Sequence, residues 1–575
     1  MKSKVHNKFS LSKLYFIFIG LLLSATANSK EFHVRNIPDS LKTNANSVVR
    51  YYRHSINITP QHEMHITLEW AITVFNVSGN SHLDPVVVYG PTDKISVIEA
   101  SIFDGAGTLI KKFRNSEIQD VHAVMQGALF IDYRVKHINY TPIQYPYTFV
   151  FKLVKKIKNT AFIPTWVPIT YYYQSVEQSS FHLNYPEEWT LRSSEKNFQD
   201  FLVVKKDTIG SYYAEIKNNP AVSPEYLSPS AMHFLPMSRL SLNHISLEGV
   251  QGKVDNWSDF GNWYRENMLS DQSQLSDKTK QELIILTSGI SEPLRKARLV
   301  YEYMQSRTRY VNVAIGIGGW RPMTVADVDR LGYGDCKALS FYTIALLEEV
   351  GIPAAYSIVY AGTSTRKIDT TLFSVQGNHV IVHITLPDTT VWLETTNQQI
   401  PFGYLGSFTD NRNAICLSKD GTQLVNTITY HDSINSQRSK SNIIIDENGS
   451  LYSSVTISSE GLMYDNRSYL LLSKQDERED YYRKEYGHLH SINFKNILLE
   501  ADKSTITFSE QIDLSAMAYG TISGNRMFVT PNVFHRITTI PPRYAQRKHP
   551  FEIQRGQMIK DAIQINLPEG YTIES

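Results

Sequence analysis

The chain has 575 residues, of which 57 are lysine or arginine and 56 are aspartate or glutamate. A chain this long exceeds what one hydrophobic core supports, so about three domains of ~150–200 residues are expected. The composition excludes a disordered or collagen-like protein, and the balanced charge gives no global attraction to nucleic acid or to anionic membranes.

Residues 1–27 have the pattern of a secretory signal peptide. Four lysines precede an apolar run from Leu14 to Leu23, and small residues follow at Ala25 and Ala27, after which we predict cleavage. The run is short for a membrane span, and no cysteine directly follows it to carry a lipid anchor. We therefore expect an exported protein (periplasmic, at the cell surface or secreted) with no integral membrane segment once the signal is removed.

Residues 28–245 show one short strand pattern after another. The segment from His65 to Val74 interleaves β-branched and aromatic residues with polar ones, and apolar residues from Ile95 to Ile102 lead into a turn at Asp104. Turn residues recur at the spacing of an all-β domain. This region is predicted to be an antiparallel β-sandwich.

Residues 246–425 begin with apolar residues at helical spacing. Helices are predicted around Asp259–Tyr264, Gln281–Leu286 and Glu292–Met304, the last with a proline in its first turn. A further, strongly apolar helix begins at Cys336, and strand patterns follow it. This order predicts a mixed α and β core.

Residues 426–575 return to strand patterns, interrupted by one charged helix predicted over Gln475–Tyr486. The final segment, Leu567–Ser575, has the pattern of a strand with no partner after it, which leaves open that this domain is incomplete here. The whole chain is therefore predicted to be an α+β multidomain protein, with a β domain on each side of a mixed core.

The chain has two cysteines, in very different contexts. Cys416 lies in an apolar strand-like run and is predicted to be a core residue; a fold this large does not need a disulfide between it and Cys336. Cys336 follows Gly334 and Asp335, and an Asp335 N-cap would place its thiol at the first helical position. The positive end of a helix favours the thiolate form. A buried structural thiol is the competing interpretation.

A hairpin downstream of Cys336 carries a histidine and a glutamate. If its turn centres between Pro387 and Asp388, Glu394 lies opposite Ile381 and on the same face as His379. A carboxylate there could fix the tautomer of the imidazole and stabilise its protonated form. Taken singly, each residue has an ordinary alternative: a satisfied histidine, and a solvated glutamate at the end of a strand.

The order and local sequence of these residues resemble the transglutaminase-like superfamily of papain-like thiol enzymes. The resemblance covers about residues 250–420. It rests on the sequences Tyr333-Gly334-Asp335-Cys336-Lys337, Asn378-His379-Val380 and Trp392-Leu393-Glu394. It is strongest to exported bacterial proteins in which such a core lies between β-rich domains.

By this resemblance Cys336 is the nucleophile, His379 the general base and Glu394 the orienting acid. Aspartate is the more frequent third residue in the superfamily, so Glu394 extends that side chain by one methylene. The backbone N–H of Cys336 is an oxyanion donor by position. Trp320 and Tyr333 are side-chain candidates for the same role, although a tryptophan beside a Gly-Gly turn also suits a packing anchor.

The predicted reaction is acyl transfer or hydrolysis at peptide or protein amides through a thioester, without a cofactor or a metal. The pairs His488 and His490, and His62 and His65, each lack a third ligand. Two alternatives stay open: an inactive scaffold or binding protein built on the same core, and a metal-dependent hydrolase using the histidines. No motif indicates nucleic acid, and the substrate and oligomeric state are not encoded in any recognisable pattern.

Overall fold

The computed structural model describes residues 31–123, 128–270 and 274–574, so the predicted signal peptide lies outside the described residues. Three large hydrophobic clusters organise the described chain, one in each of its N-terminal, central and C-terminal parts. The prediction of an α+β multidomain fold with a mixed core between β-rich parts is confirmed.

The N-terminal part is almost entirely β. After a short helix, α1 (Asp39–Lys42), its strands are β1 (Ser47–Ile58), β2 (Met64–Val74), β3 (Val86–Tyr89), β4 (Lys94–Asp104), β5 (Leu109–Lys112), β6 (Gln119–His122), β7 (Ala128–Ile131), β8 (Arg134–His137), β9 (Tyr147–Ile157), β10 (Gln174–Asn184), β11 (Leu191–Lys196), β12 (Val204–Thr208), β13 (Ser211–Asn219), β14 (Met237–Leu242), β15 (His244–Leu247) and β16 (Val250–Lys253).

Eight of these strands form one sheet, in the order β12-β13-β10-β1-β2-β9-β4-β5. Its pairs are antiparallel except for β1 and β10, which run parallel, so the prediction of an antiparallel arrangement is wrong at this pair. Turn residues report only on strands joined by short loops, whereas β1 and β10 are joined by a long stretch of chain. Smaller sheets, β11-β14 and β3-β8-β6, contribute Leu240, Leu242 and Val87 to the same hydrophobic cluster.

The central part combines helices with a five-stranded sheet. Its elements are α2 (Trp257–Asn267), α3 (Asp277–Thr287), α4 (Pro293–Arg307), β17 (Arg309–Tyr310), β18 (Asn312–Ala314), α5 (Val325–Leu331), β19 (Tyr333–Gly334), α6 (Cys336–Glu349), β20 (Ala354–Val359), β21 (His379–Thr385), β22 (Thr390–Leu393), α7 (Gly406–Thr409), β23 (Asn413–Ser418) and β24 (Gly421–Asn426). The sheet is antiparallel, in the order β22-β21-β20-β23-β24.

Helix α6 is the central helix of this core, and its ends are set by local sequence. The side chain of Asp335 accepts a hydrogen bond from the N–H of Ala338 at 3.0 Å, which caps the first turn. At the other end Gly351 has a φ of +80°, and the N–H of Ile352 returns to the carbonyl of Leu347 at 2.9 Å. Of the residues in α6 only Glu349 is exposed, so the helix is enclosed by the core.

The C-terminal part contains β25 (Ser436–Ile445), β26 (Leu451–Glu460), α8 (Leu462–Asp465), α9 (Gln475–Glu485), β27 (His490–Asp502), β28 (Thr507–Met517), β29 (Thr521–Ser523), β30 (Arg526–Phe528) and β31 (Met558–Asn566). The five long strands form a sheet in the order β27-β28-β26-β25-β31. Helix α9 confirms the predicted charged helix.

The predicted final strand over Leu567–Ser575 is wrong. The last strand is instead β31, which pairs in parallel with β25 along its whole length. Pro568, two residues after the end of β31, lacks the N–H that a ladder needs, and Gly570 has a φ of +84°, so the ladder ends before them.

The N-terminal and central parts share an extensive boundary. Ile245 and Leu247 in β15 belong to the hydrophobic cluster of the central part, together with Ala161. The strands β7 and β18 pair in parallel across the two parts. Across the described ranges of the chain, no helix is long and apolar enough to span a membrane.

Candidate active site

Cys336 occupies the first position of α6, as its sequence predicts. The two-stranded pairing of β17 with β19 lies directly before it and fixes the approach of the chain. The N–H groups of a first helical turn have no intrahelical acceptor and point out of the helix end. Cys336 is half-buried and forms no disulfide. Its thiol therefore lies at the positive end of a rigid, buried helix, with partial access to solvent.

The hairpin β21–β22 has the register that its sequence predicts. Val382 pairs with Leu393 and His383 with Trp392, which brings Glu394 level with Ile381. Nε2 of His379 and Oε2 of Glu394 are 2.9 Å apart. Cys336 also interacts with the side chain of His379 and helps to raise the pKa of the imidazole. The three side chains predicted to act together are thus brought together.

Glu394 is fixed on all sides. The side chain is 1% exposed, which contradicts the alternative of a solvated strand end. Its Oε1 accepts hydrogen bonds from the hydroxyl of Thr396 at 2.6 Å and from the N–H of Thr396 at 3.0 Å. Its backbone carbonyl accepts the hydroxyl of Tyr301 at 2.6 Å. The carboxylate is therefore held in the orientation that reaches His379, and the extra methylene of glutamate is accommodated.

The electrostatics of this pair favour opposite charges on its two members. Burial alone would lower the pKa of His379, but the charge of Glu394 and the hydrogen bonds with Cys336 and Glu394 raise it above the usual value. Burial alone would raise the pKa of Glu394, but the charge of His379 and the bonds from Thr396 lower it. An imidazolium beside Cys336 is the charge arrangement that stabilises a thiolate.

Two further groups shape the surroundings of the pair. The ring of Phe408, from α7, meets the ring of His379 edge-on with centroids 5.2 Å apart, and so covers it on one side. Lys337 forms a buried ion pair with Asp335, the residue that caps α6. This ion pair holds the capping carboxylate beside Cys336.

The two side-chain candidates for an oxyanion donor lie in different settings. The ring of Trp320 packs against Phe162 of the N-terminal part, with centroids 4.9 Å apart and an angle of 33° between planes, as a packing anchor would. Tyr333 is half-buried in β19, where its backbone pairs with Arg309. Within the described residues, neither the Trp320 indole nor the Tyr333 hydroxyl has a hydrogen-bond partner.

Three tyrosines near Cys336 were not identified from the sequence. Tyr264, Tyr310 and Tyr356 each have an electrostatic interaction with Cys336. Burial, followed by the charges of Cys336, Asp335 and Glu394, raises the pKa of Tyr310 to about 12, so its hydroxyl stays protonated and can donate. The three come from α2, β17 and β20, so no local sequence pattern links them.

The predicted core residue Cys416 is confirmed. It lies in β23, is 3% exposed, and its thiol is 3.3 Å from the hydroxyl of Ser357. Burial raises the pKa of Cys416 to about 11. Both cysteines are free.

The two histidine pairs have no third metal ligand beside them within the described residues. His65 faces Glu63 at 2.9 Å, and His488 is half-buried while His490 is exposed. Within the described ranges, no group of three or more histidine, cysteine, aspartate or glutamate side chains is arranged to hold a metal ion.

Comparison with protein families divides the chain into three matched regions. Residues 279–396 match the transglutaminase-like superfamily core and so contain Cys336, His379 and Glu394. Residues 60–223 match a domain of unknown function, DUF3857, and residues 525–575 match another, DUF3858. None of the curated proteins matches the sequence.

Among solved structures, the chain is similar to one described as a "putative protease" from Parabacteroides distasonis ATCC 8503. The identity is 12% and the TM-score 0.52, and the match covers 82% of this chain and 93% of that one. The same arrangement of domains is therefore present over most of both chains. An M1 zinc metallopeptidase from Deinococcus radiodurans matches 36% of this chain and 46% of its own at 7% identity, with a TM-score of 0.18 that carries no argument.

Proposed function

Because the chain carries a core of the transglutaminase-like superfamily between two further β-rich parts, we propose that it is an exported cysteine-dependent enzyme acting on peptide or protein amides. It transfers or hydrolyses acyl groups through a thioester. The observation that carries this proposal is the buried hydrogen bond between His379 and Glu394, at an imidazole that also interacts with the side chain of Cys336.

The reaction starts from the thiolate of Cys336 and the imidazolium of His379. The sulfur attacks the carbonyl carbon of the amide and forms a C–S bond. When the tetrahedral intermediate collapses, the C–N bond breaks and His379 gives its proton to the departing amine. Water or a second amine then attacks the thioester and passes a proton back to His379. The thiolate is released, and the product is an acid or a new amide.

The developing oxyanion needs hydrogen-bond donors close to the sulfur. The N–H of Cys336 is one, because it belongs to the first turn of α6. The hydroxyl of Tyr310 is a second candidate, because Tyr310 interacts electrostatically with Cys336 and its raised pKa keeps the hydroxyl protonated at neutral pH. Trp320 and Tyr333 remain candidates for the same role, and measured effects of their replacement would rank the three side chains.

Export is proposed from residues 1–27, whose lysines, apolar run and small residues form a leader pattern. The substrate is a peptide or protein rather than a nucleic acid, since no basic aromatic surface pattern is present in the sequence. Neither a cofactor nor a metal has a place in the proposed chemistry.

The proposal is tested by measuring turnover of a panel of model peptide amides, with and without primary amine acceptors, by mass spectrometry. The wild-type protein should release amine from at least one amide, and an acceptor should appear in the product if transfer competes with hydrolysis. Cys336→Ala should abolish both, while Cys416→Ala should retain them. Turnover that survives Cys336→Ala, or that a chelator abolishes, would exclude the thiol mechanism.

A further inference from the structure

A buried serine of helix α6 makes hydrogen bonds to both sides of the hairpin β21–β22. Ser340 lies one turn after Cys336 and is 0% exposed. Its Oγ donates to the carbonyl of Val380 at 3.1 Å and lies 3.0 Å from Oγ1 of Thr395, which is 1% exposed. A serine hydroxyl has one proton, and a carbonyl can only accept, so Thr395 is the donor of the second bond. Thr395, Ser340 and Val380 thus form one chain of hydrogen bonds, the Ser340 bridge.

The Ser340 bridge lies beyond the end of the backbone ladder between β21 and β22. The last paired residues of that ladder are Val382 and Leu393. Two residues further along, Val380 and Thr395 stand opposite each other, where the next pair of the same kind in an antiparallel ladder would fall. The hydroxyl of Ser340 joins the two strands at this position from a third element, the helix.

The strand end that the bridge supports carries the glutamate of the active site. Val380 directly follows His379, and Thr395 directly follows Glu394. On its other side β21 is paired with β20 as far as His379, whereas β22 is an edge strand whose ladder ends before Glu394. Tyr301 holds the carbonyl of Glu394 from α4. The Ser340 bridge holds the neighbouring residue from α6, the helix that carries the thiol.

The bridge also links the position of Cys336 to that of the hairpin. Cys336 and Ser340 are four residues apart and therefore lie on the same face of α6. A slide or rotation of α6 that moved the thiol away from His379 would also break the bond of Ser340 to the carbonyl of Val380. One side chain thus couples the nucleophile to the strand of the base and to the strand end of the acid.

A second buried hydroxyl of α6 bonds in a different way. Thr343 is 0% exposed, and its Oγ1 donates to the carbonyl of Leu339 at 2.7 Å, four residues earlier in the same helix. This local bond is the usual one for a serine or threonine inside a helix. The equivalent acceptor for Ser340 is the carbonyl of Cys336, but its hydroxyl bonds across to the hairpin instead.

We propose that Ser340 is a positioning residue of the active site, which keeps His379 and Glu394 aligned with Cys336. It acts through the main chain of β21 and through Thr395, not through contact with a reacting group. Its effect on the thiol rests on the proposed function, whereas the bridge across the open end of the hairpin does not. The two statements are therefore tested separately.

Hydrogen exchange of the full-length protein, followed by peptide mass spectrometry, tests the bridge. Ser340→Ala and Thr395→Val each remove one hydroxyl of the bridge and leave its partners without a bond. Both should increase exchange about 10-fold or more in peptides covering residues 378–382 and 394–398.

Two further variants are the controls for this measurement. Thr343→Val makes the same substitution as Thr395→Val at an equally buried hydroxyl, so exchange in the hairpin should not change. Thr395→Ser keeps the hydroxyl and should behave like the wild type. Unchanged exchange in both bridge variants, or an equal increase in Thr343→Val, would overturn the bridge.

Alkylation of Cys336 by iodoacetamide tests the positioning role. In Ser340→Ala the rate at pH 6, relative to that at pH 9, should fall at least about 3-fold toward the value in His379→Ala. Adding Ser340→Ala to His379→Ala should change it no further, because the serine acts through the imidazole. Thr343→Val should label like the wild type, although a merely structural loss would affect both variants.

The outcomes separate this proposal from the thiol mechanism. If the wild type labels readily at pH 6 and Ser340→Ala does the same, the positioning role is overturned and the thiol mechanism stands. If the wild-type Cys336 labels like an ordinary thiol, the thiol mechanism and the positioning role both fail, and hydrogen exchange still decides whether the bridge exists. Where turnover is measurable, Ser340→Ala should lower kcat and leave KM nearly unchanged.

Discussion

The two cysteines of this chain are the same chemical group in two opposite environments. Cys336 lies at the open end of a helix, half-buried, beside a histidine whose pKa is raised. Cys416 lies within a strand, is 3% exposed, and has the hydroxyl of Ser357 beside it and a pKa raised by burial. The reactivity of a cysteine is therefore set by what surrounds its sulfur, because burial alone disfavours the thiolate and a neighbouring imidazolium favours it.

The largest difference between the two cysteines should be in turnover. Cys336→Ala should lower kcat/KM for a model amide at least about 1,000-fold, because the nucleophile is lost. Cys416→Ala should change it less than about 2-fold and should be tested for folding by circular dichroism. Similar decreases in kcat/KM from both substitutions would mean that they act through the stability of the protein and not through loss of a nucleophile.

The next effect comes from making the surroundings of Cys336 more like those of Cys416. Glu394→Gln removes the charge that raises the pKa of His379 and should lower kcat about 100-fold. Glu394→Asp keeps the charge but shortens the side chain, whose Oε2 lies 2.9 Å from Nε2 of His379 in the wild type. We expect this variant to lower kcat by an intermediate amount, about 10-fold. The measurement is steady-state turnover across pH, and an unchanged profile in Glu394→Gln would contradict the role of the carboxylate.

A smaller effect is expected from the hydroxyl of Tyr310. Tyr310→Phe should lower kcat about 10-fold and leave KM nearly unchanged, as loss of an oxyanion donor does. Tyr452→Phe, at an exposed tyrosine of the C-terminal sheet, is the control. Tyr333→Phe and Trp320→Phe should each lower kcat less than Tyr310→Phe does. A larger decrease in kcat from either variant would assign the oxyanion role to that residue.

The smallest effect concerns stability. The raised pKa of His379 contributes stability that is full below its unfolded value of 6.5 and is lost as pH rises through the folded value. The lowered pKa of Glu394 contributes stability that is full above 4.5 and is lost as pH falls. The Tm of the wild type should therefore exceed the Tm of His379→Gln by the largest amount between about pH 4.5 and 6.5.

From pH 6 to pH 9 this Tm difference should decline by about 3 °C, which corresponds to about 1 kcal/mol for a domain of this size. Differential scanning calorimetry measures it, with Cys416→Ala as a variant whose difference from wild type stays flat over the same range. A difference that grows with pH would show that His379 is neutral in the folded protein.

The parts of the site that lie close together in sequence were predictable. The start of α6 follows from Asp335 as N-cap, and the opposition of Glu394 and Ile381 follows from the two-residue period of strands once the turn is placed. The contact of His379 with Cys336 joins two such elements and required the resemblance to a known core. Local sequence patterns thus predicted the start of the cysteine helix and the register of the histidine–glutamate hairpin. The resemblance to a known family predicted that these two elements lie side by side.

The remaining features depend on contacts between distant segments. Tyr264, Tyr310 and Tyr356 interact electrostatically with Cys336 from three separate elements, so no local sequence pattern reveals the interaction. The parallel pairing of β1 with β10 was missed for the same reason, since turn residues describe only neighbours joined by short loops.

The pH dependence of alkylation of both cysteines in one molecule tests the central claim most directly. Iodoacetamide labelling at Cys336 and Cys416 is followed by peptide mass spectrometry, with each rate normalised to its own value at pH 9 so that accessibility cancels. Cys336 should retain most of its rate at pH 6, Cys416 almost none, and His379→Ala should give Cys336 the steep rise of an ordinary thiol. If instead the two normalised profiles rise together at alkaline pH, and His379→Ala changes neither, Cys336 is not an activated nucleophile.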